Sequence, residues 1–266
     1  MAKPLNIIVC GSLVPDPLQT LEPVQTPQGP GLKNEQMLPS VLDPWAACAL
    51  YEAANLAKQR AGSTVTLVAL GPKAKLQQLM MTVAQKAPFQ LVAVNAPAGG
   101  FTDARETAAE LAKAIKAIPG LDLSATLLFG GCASASRDAG VTLQFVAETL
   151  GIGEFFMGVD ELKLADDDSF TVLERIEGGQ YLSSTCSGFP AAIGRLPVAQ
   201  PNNPQTGMMN MRGIMPALMK APVANVGVGG IAYEKTEVPS AKRATVVKKD
   251  MAVDDIAKEI VEWIKG

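Results

Sequence analysis

The chain predicts an α/β fold: a doubly wound, mostly parallel sheet, with an added β-hairpin region and a C-terminal arm. Three observations predict it. Short apolar runs at 5–10, 64–70, 90–95 and 125–129 alternate with segments of helical periodicity. Strands covered on both faces read as continuous apolar runs, and parallel neighbours need a crossover helix between them. Small-residue turns follow three strand ends, at Cys10-Gly11-Ser12, Leu70-Gly71-Pro72 and 129–140. Past residue 150 the pattern changes to paired strands and loops.

Leu5 to Cys10 is the first strand. Asp43 and Pro44 form an N-cap and N1 pair that opens a helix running to about Arg60. Thr64 to Leu70 is the second strand, ended by Gly71-Pro72, and Lys73 to Lys86 is helical in pattern. Gln90 to Asn95 is the third strand, and Thr102 caps a helix that stops at Pro119-Gly120. Ala125 to Phe129 is the fourth strand, followed by a helix over Val141 to Leu150. Phe170 to Ile176, Gly178-Gly179 and Gln180 to Cys186 read as a hairpin with a glycine turn. Ala191 to Leu196 is a further strand, and Pro197 to Gly207, rich in Pro, Asn and Gln, is an exposed loop. Gly227 to Lys249 has no periodicity, and Asp254 to Lys265 is an amphipathic helix with Ile256, Ile260 and Ile264 on one stripe. We divide the chain into an α/β domain over 1–226, with its hairpin at 170–186, and a tail over 227–266 that is either a self-packed closing helix or an extended arm.

Composition excludes several functions. At 266 residues and a net charge of −3, with no basic block, the chain is no nucleic-acid binder. Cys10, Cys48, Cys132 and Cys186 are scattered, so neither a zinc site nor a disulfide framework is expected. Met1-Ala2-Lys3-Pro4 leads into a strand-like run without a signal-peptide pattern, which points to reduced thiols in the cytoplasm. There is no histidine. That removes Ser-His-Asp and Cys-His nucleophiles, histidine metal sites and histidine general bases. Side-chain chemistry would then need Lys, Asp, Glu, Tyr or Cys; a bound cofactor that does the chemistry, or no chemistry in this chain, is the simpler reading, and no catalytic side chain is assigned.

The turn at 129–140 joins a buried strand to a helix N-terminus, where free N–H groups and the positive helix end favour a phosphate. It lacks the Walker ending and the G-x-G-x-x-G spacing. Read from the residues alone, it is a phosphate loop or a plain βα turn made by Gly130 and Gly131. Asp166-Asp167-Asp168 reads as a solvated turn, and Cys132 as an inert small residue. Met208, Met209, Met211, Met215 and Met219 are either core fill or a repacking docking surface.

In order and spacing the chain resembles the β subunit of electron transfer flavoproteins over nearly its whole length. The matching segments are Leu13-Val14-Pro15-Asp16, Leu42-Asp43-Pro44-Trp45 with Ala49 to Leu56, Asp138-Ala139-Gly140 with Val146 to Gly151, Glu174 to Gly179, and Met211-Arg212-Gly213-Ile214-Met215. The resemblance implies an adenine-nucleotide-hydrolase-like, Rossmann-type fold. It also implies a heterodimer with an α subunit that holds the redox FAD, and AMP or a second FAD in this chain. Its nucleotide contacts would fall on Cys10, Asp43, Pro44, Trp45, Ala46, Leu70, Gly130, Gly131, Cys132, Ser136, Arg137, Asp138, Ala139, Gly140 and Thr142. Trp45 would face the partner's flavin.

A recognition loop over 205–220, with Met208, Met211, Arg212 and Met215, would dock a primary flavin dehydrogenase, and the arm would reach around the α subunit. The downstream acceptor would be of the ETF-quinone oxidoreductase kind. The alternatives are an electron-bifurcating flavoprotein with FAD in this chain, or a stand-alone adenine-nucleotide-binding module. Ala139 and Leu143 depart from the family loop, which has Thr and a small residue there, and Ser134, Ser136 and Arg137 are the side chains available to compensate. A changed or vacated pocket is the other outcome of those departures.

Overall fold

In the computed structural model the described residues are 3–27, 29–97, 102–136, 138–198, 207–227, 234–235, 237–238 and 247–265; for 29, 30 and 207–211 the backbone alone is described. In chain order the elements begin with β1 (Asn6–Pro15), β2 (Pro23–Thr26), β3 (Gly29–Leu32), β4 (Ser40–Leu42) and α1 (Pro44–Gln59). Next come β5 (Thr64–Gly71), α2 (Lys73–Val83), β6 (Gln90–Asn95), α3 (Ala104–Lys116), β7 (Thr126–Gly131) and α4 (Thr142–Leu150). The second half holds β8 (Glu154–Leu164), β9 (Phe170–Arg175), β10 (Tyr181–Cys186), β11 (Ala191–Arg195), α5 (Gly207–Met219) and α6 (Val253–Lys265).

The main sheet runs β10-β9-β8-β11-β7-β1-β5-β6, with β4 pairing the end of β1. From β8 to β6 the pairs are parallel; β8–β9 and β9–β10 are antiparallel. Helices cover both faces. One core joins Leu50 and Leu56 of α1, Leu76 and Met80 of α2, and Ile214 and Leu218 of α5 to the sheet. The other joins Leu111 and Ile115 of α3 and Val146 and Leu150 of α4 to the opposite face. The predicted doubly wound α/β sheet is therefore the observed one. The winding reverses at β1: β5 and β6 lie to one side, β7 and β11 to the other. In open α/β sheets that reversal leaves a crevice at the carboxyl ends of the strands.

Several elements differ from expectation. β1 runs on to Pro15 because Leu13, Val14 and Pro15 pair antiparallel with Leu42, Val41 and Ser40. The β2–β3 ribbon is too short and too rich in Pro and Gly to show a period. Asp103, not Thr102, caps α3, its carboxylate accepting from the Arg105 N–H at 3.0 Å. β8 carries no clear period in the sequence, and a register shift between Val159 and Glu161 breaks its alternation. Residues 207–219 form a helix, although Pro216 lies inside it, so the expected loop at 205–220 is helical from 207 to 219 and a turn at Lys220; 205 and 206 lie outside the described residues. Ile214 and Leu218 are buried while Arg212, Met215 and Met219 are exposed, so the core-fill and docking alternatives divide along the two faces of α5. The hairpin lies where it was expected, and its turn holds Gly178 and Gly179, both at φ +73°. Asp168 is not a purely solvated turn residue: its carboxylate accepts from the buried Arg60 guanidinium at 2.7 Å. No described helix is long and apolar enough to cross a membrane.

Candidate functional site

The carboxyl ends of β1, β5 and β7 open into one cleft, a cavity of about 910 Å³. Its floor is the end of β1, where Cys10 lies buried, and burial pushes that thiol up to about 12. Leu70 and Pro72 bring in the end of β5, and Gly130 and Gly131 the end of β7. The loop 132–141 and the first residues of α4 form the opposite wall.

Asp43 organises that wall. It is buried at 2% exposure, and its carboxylate accepts from the Trp45 N–H at 3.0 Å and the Ala135 N–H at 2.8 Å. One side chain thus caps α1 and ties down a loop 92 residues away. Burial raises its carboxyl above the usual carboxylate range, while the N–H groups of Ala135, Trp45 and Ala46 oppose that shift. Gly131 is where the two segments meet most closely: a Cβ there would collide with Trp45 Cβ and the Ala133 carbonyl. Gly130 makes room for Leu143, whose methyls would stand 3.0–3.3 Å from a Cβ at that position. Gly140 takes φ +64°, and an added Cβ would lie 2.5 Å from the Cys132 carbonyl oxygen. Asp138 is also left-handed, at φ +54°. This pair of left-handed residues swings the chain into α4.

α4 begins without a side-chain cap, since its N-cap is Val141. Its leading N–H groups are therefore left for a ligand or water, and Val141 and Thr142 border the cleft. Ser134 and Ser136 lie on the same wall, their hydroxyls 3.4 Å apart. A small-residue loop, two hydroxyls and an uncapped helix start suit a phosphate-bearing ligand.

Of the expected contacts, Cys10, Asp43, Ala46, Leu70, Gly130, Gly131, Ser136, Ala139, Gly140 and Thr142 line this one cleft. Pro44, Trp45, Cys132 and Asp138 stand behind or beside the lining. Burial pushes the Cys132 thiol up, opposed by the N–H of Gly158 and by the Trp45 side chain. Arg137 lies outside the described residues, as do the side chains of Met208 and Met211. Arg212 and Met215 lie on α5, which packs against β6 and α2 rather than on the cleft.

Residues that sequence reasoning missed also line the cleft. Leu21, Leu32 and Glu35 come from the ribbon region, and Val226 and Gly227 from the chain after α5. No local pattern signals either group. Lys75 was within reach: it lies in the first turn after Gly71-Pro72, and a helix that follows a strand end starts at the cleft rim.

Behind the cleft, Arg195 ends β11 at 2% exposure. Its Nη2 lies 3.6 Å from Glu52 of α1, and its Nε and Nη1 have no hydrogen-bond partner among the described residues. Burial raises the Glu52 carboxyl, and Arg195 partly opposes it. Among the described residues no cluster of three or more His, Cys, Asp or Glu could hold a metal ion.

A comparison with curated proteins returned no match. The family model for the electron transfer flavoprotein domain matches residues 33–205, well over half of the chain, including α1, the loop 132–141, the hairpin and β11. Proteins with this domain are flavin-binding electron carriers that work with a partner subunit and with dehydrogenases. The chain belongs to the electron transfer flavoprotein family.

Proposed function

We propose that the chain is the β subunit of a heterodimeric electron transfer flavoprotein, which takes electrons from a primary dehydrogenase onto FAD held mainly by an α subunit and passes them to an acceptor of the ETF-quinone oxidoreductase kind. The observation that carries this reading is the cleft. The resemblance places nucleotide contacts on Cys10, Asp43, Ala46, Leu70 and residues between Gly130 and Thr142, and most of these border a single cavity. Adenine nucleotide, as AMP, would sit there with its phosphate on the uncapped start of α4, beside Ser134, Ser136 and Thr142. Asp43 would act by holding α1 and the loop rather than by touching the ligand.

FAD, when bound, supplies one- and two-electron transfer. This chain's residues would bind, orient and exclude water: Trp45, half-buried at the start of α1, offers an aromatic surface toward the partner's flavin. No side chain here is given a catalytic role. Two surfaces fit the partners. Arg212, Met215 and Met219 are exposed on α5, which suits docking to a dehydrogenase. On α6, Ile256, Ile260 and Ile264 form an exposed apolar stripe with no buried residue on the helix, which suits an arm over 227–266 laid on an α subunit. The free cysteines Cys10, Cys48, Cys132 and Cys186 fit a cytoplasmic, reducing compartment.

A second reading is an electron-bifurcating flavoprotein with FAD in this cleft. It is favoured by the cavity of about 910 Å³, near the top of the range of about 300–1,000 Å³ for small-molecule sites. Acid release and counting of nucleotides from the purified complex tests both. One FAD with one AMP per dimer is the expected result, two FAD supports bifurcation, and no adenine nucleotide overturns the assignment of the cleft. A colourless homodimer carrying ATP would instead support a stand-alone binding module.

A further inference from the structure

Val226 and Gly227 form part of the cleft wall although they lie far along the chain from the strands that build it. They belong to a strap, residues 222–227, laid on the edge of β6. The Asn95 N–H donates to the Pro222 carbonyl and the Ala224 N–H to the Asn95 carbonyl, both at 2.9 Å. Val223 bridges Asn95 in parallel register. The Asn95 side chain also accepts from the Lys73 N–H at 3.0 Å, so the strap's anchor and the start of α2 share one residue. Ala224 and Val226 are buried in the core that holds Ala108, Leu111 and Ala112 of α3.

The far end of the strap is fastened differently. The Gly227 N–H donates to the carboxylate of Glu106, in the first turn of α3. Gly227 takes φ +84°, a backbone conformation that glycine alone adopts freely, and a Cβ there would lie 3.9 Å from the Thr102 hydroxyl, itself on the cleft. The Asn95 pairings hold only 222–224. Beyond them the wall is held, among the described residues, by the burial of Val226 and by this hydrogen bond.

We propose that Glu106 is a positioning residue of the cleft: its carboxylate latches the 222–227 strap as a closed wall and so slows release of the bound nucleotide. The inference rests on the cleft being the nucleotide site. The strap is also the root of the C-terminal arm, so the latch fixes where the arm leaves the domain. The carboxylate's position near a helix N-terminus offers a competing role, a plain charge–dipole contact. Reach and charge separate the two. Gln keeps an acceptor at the right distance without the charge; Asp keeps the charge but is one methylene short.

The test uses the full-length chain loaded with labelled AMP and chased with excess unlabelled AMP. Glu106→Ala and Glu106→Asp should release the label about tenfold faster, the rate equivalent of one hydrogen bond to a charged group. Glu106→Gln should stay within about threefold of the parent, since it keeps the acceptor. Release at the parental rate from Glu106→Asp, or faster release from Glu106→Gln than from Glu106→Asp, overturns the latch while leaving the nucleotide site intact. If Glu106→Ala does not fold, the Asp and Gln pair alone decides. A parent chain that binds neither AMP nor FAD removes the nucleotide reading and the latch with it.

Discussion

Replacing Asp43 by alanine removes two things at once. The N-cap of α1 goes, which costs about 1 kcal/mol. The Ala135 N–H also loses a charged acceptor at 2.8 Å, which costs about 1.5–3 kcal/mol. The carboxylate is itself desolvated, as its raised pKa records, so part of this loss is offset when it leaves. The net destabilisation should be about 2–4 kcal/mol. For a domain of this size each kcal/mol lowers Tm by about 2–4 °C, so a fall of about 4–16 °C is expected. Asp43→Asn, which retains one oxygen acceptor, should lie between parent and alanine. The loop 132–136 would also lose its tether to α1, so AMP affinity should fall with stability. Thermal and urea unfolding give the first quantity and titration calorimetry with AMP the second. A Tm within 1 °C of the parent together with unchanged AMP affinity would refute the reasoning, because it would mean that the loop holds its shape without Asp43.

Three further outcomes are expected. Gly131→Ala forces a methyl against Trp45 Cβ and the Ala133 carbonyl; it should cost about 1–3 kcal/mol in urea unfolding and shift Trp45 emission. Glu52→Ala leaves the Arg195 guanidinium buried without its Glu52 partner, which should cost about 3–5 kcal/mol, whereas replacing both partners, Glu52→Leu with Arg195→Met, should be near neutral or stabilising in the same assay. The Cys10 thiol, raised from 9.0 to about 12 in the fold, should resist alkylation at pH 8 until the chain is unfolded, as read by mass spectrometry. Because its folded pKa lies above its unfolded one, the stability linked to it is complete below pH 9 and lost as pH rises toward about 12. Cys10→Ser should therefore flatten the alkaline decline of the urea midpoint.

The difference between what was legible and what was not follows the range of the interactions involved. Asp43-Pro44 announces the start of α1 because an N-cap and an N1 proline act within one turn. Phe170 to Cys186 announces its hairpin because the paired glycines lie between the two strands they join. β8 was hidden because its residues answer to β11 on one side and β9 on the other, with register shifts on both. The helix over 207–219 was hidden because Pro216 and the glycines argue against it locally, and the burial of Ile214 and Leu218 argues for it only from the tertiary packing.

By itself the sequence determined the alternation of strands and helices, the glycine-rich turns at three strand ends, the absence of histidine chemistry and membership of the electron transfer flavoprotein family, which the family model bears out. These are properties of short segments and of composition, and they survive without knowledge of what packs on what. Only the tertiary structure decided that Cys10, Leu70, Gly130 and Ala139 border one cleft, because strand order is a long-range choice and the reversal at β1 makes it. It also showed that Asp43, on the lining of that cleft, tethers α1 to Ala135. The wall supplied by Val226 and Gly227, fastened by Glu106 from 121 residues away, could come from nowhere else, since no local pattern records a hydrogen bond across that distance.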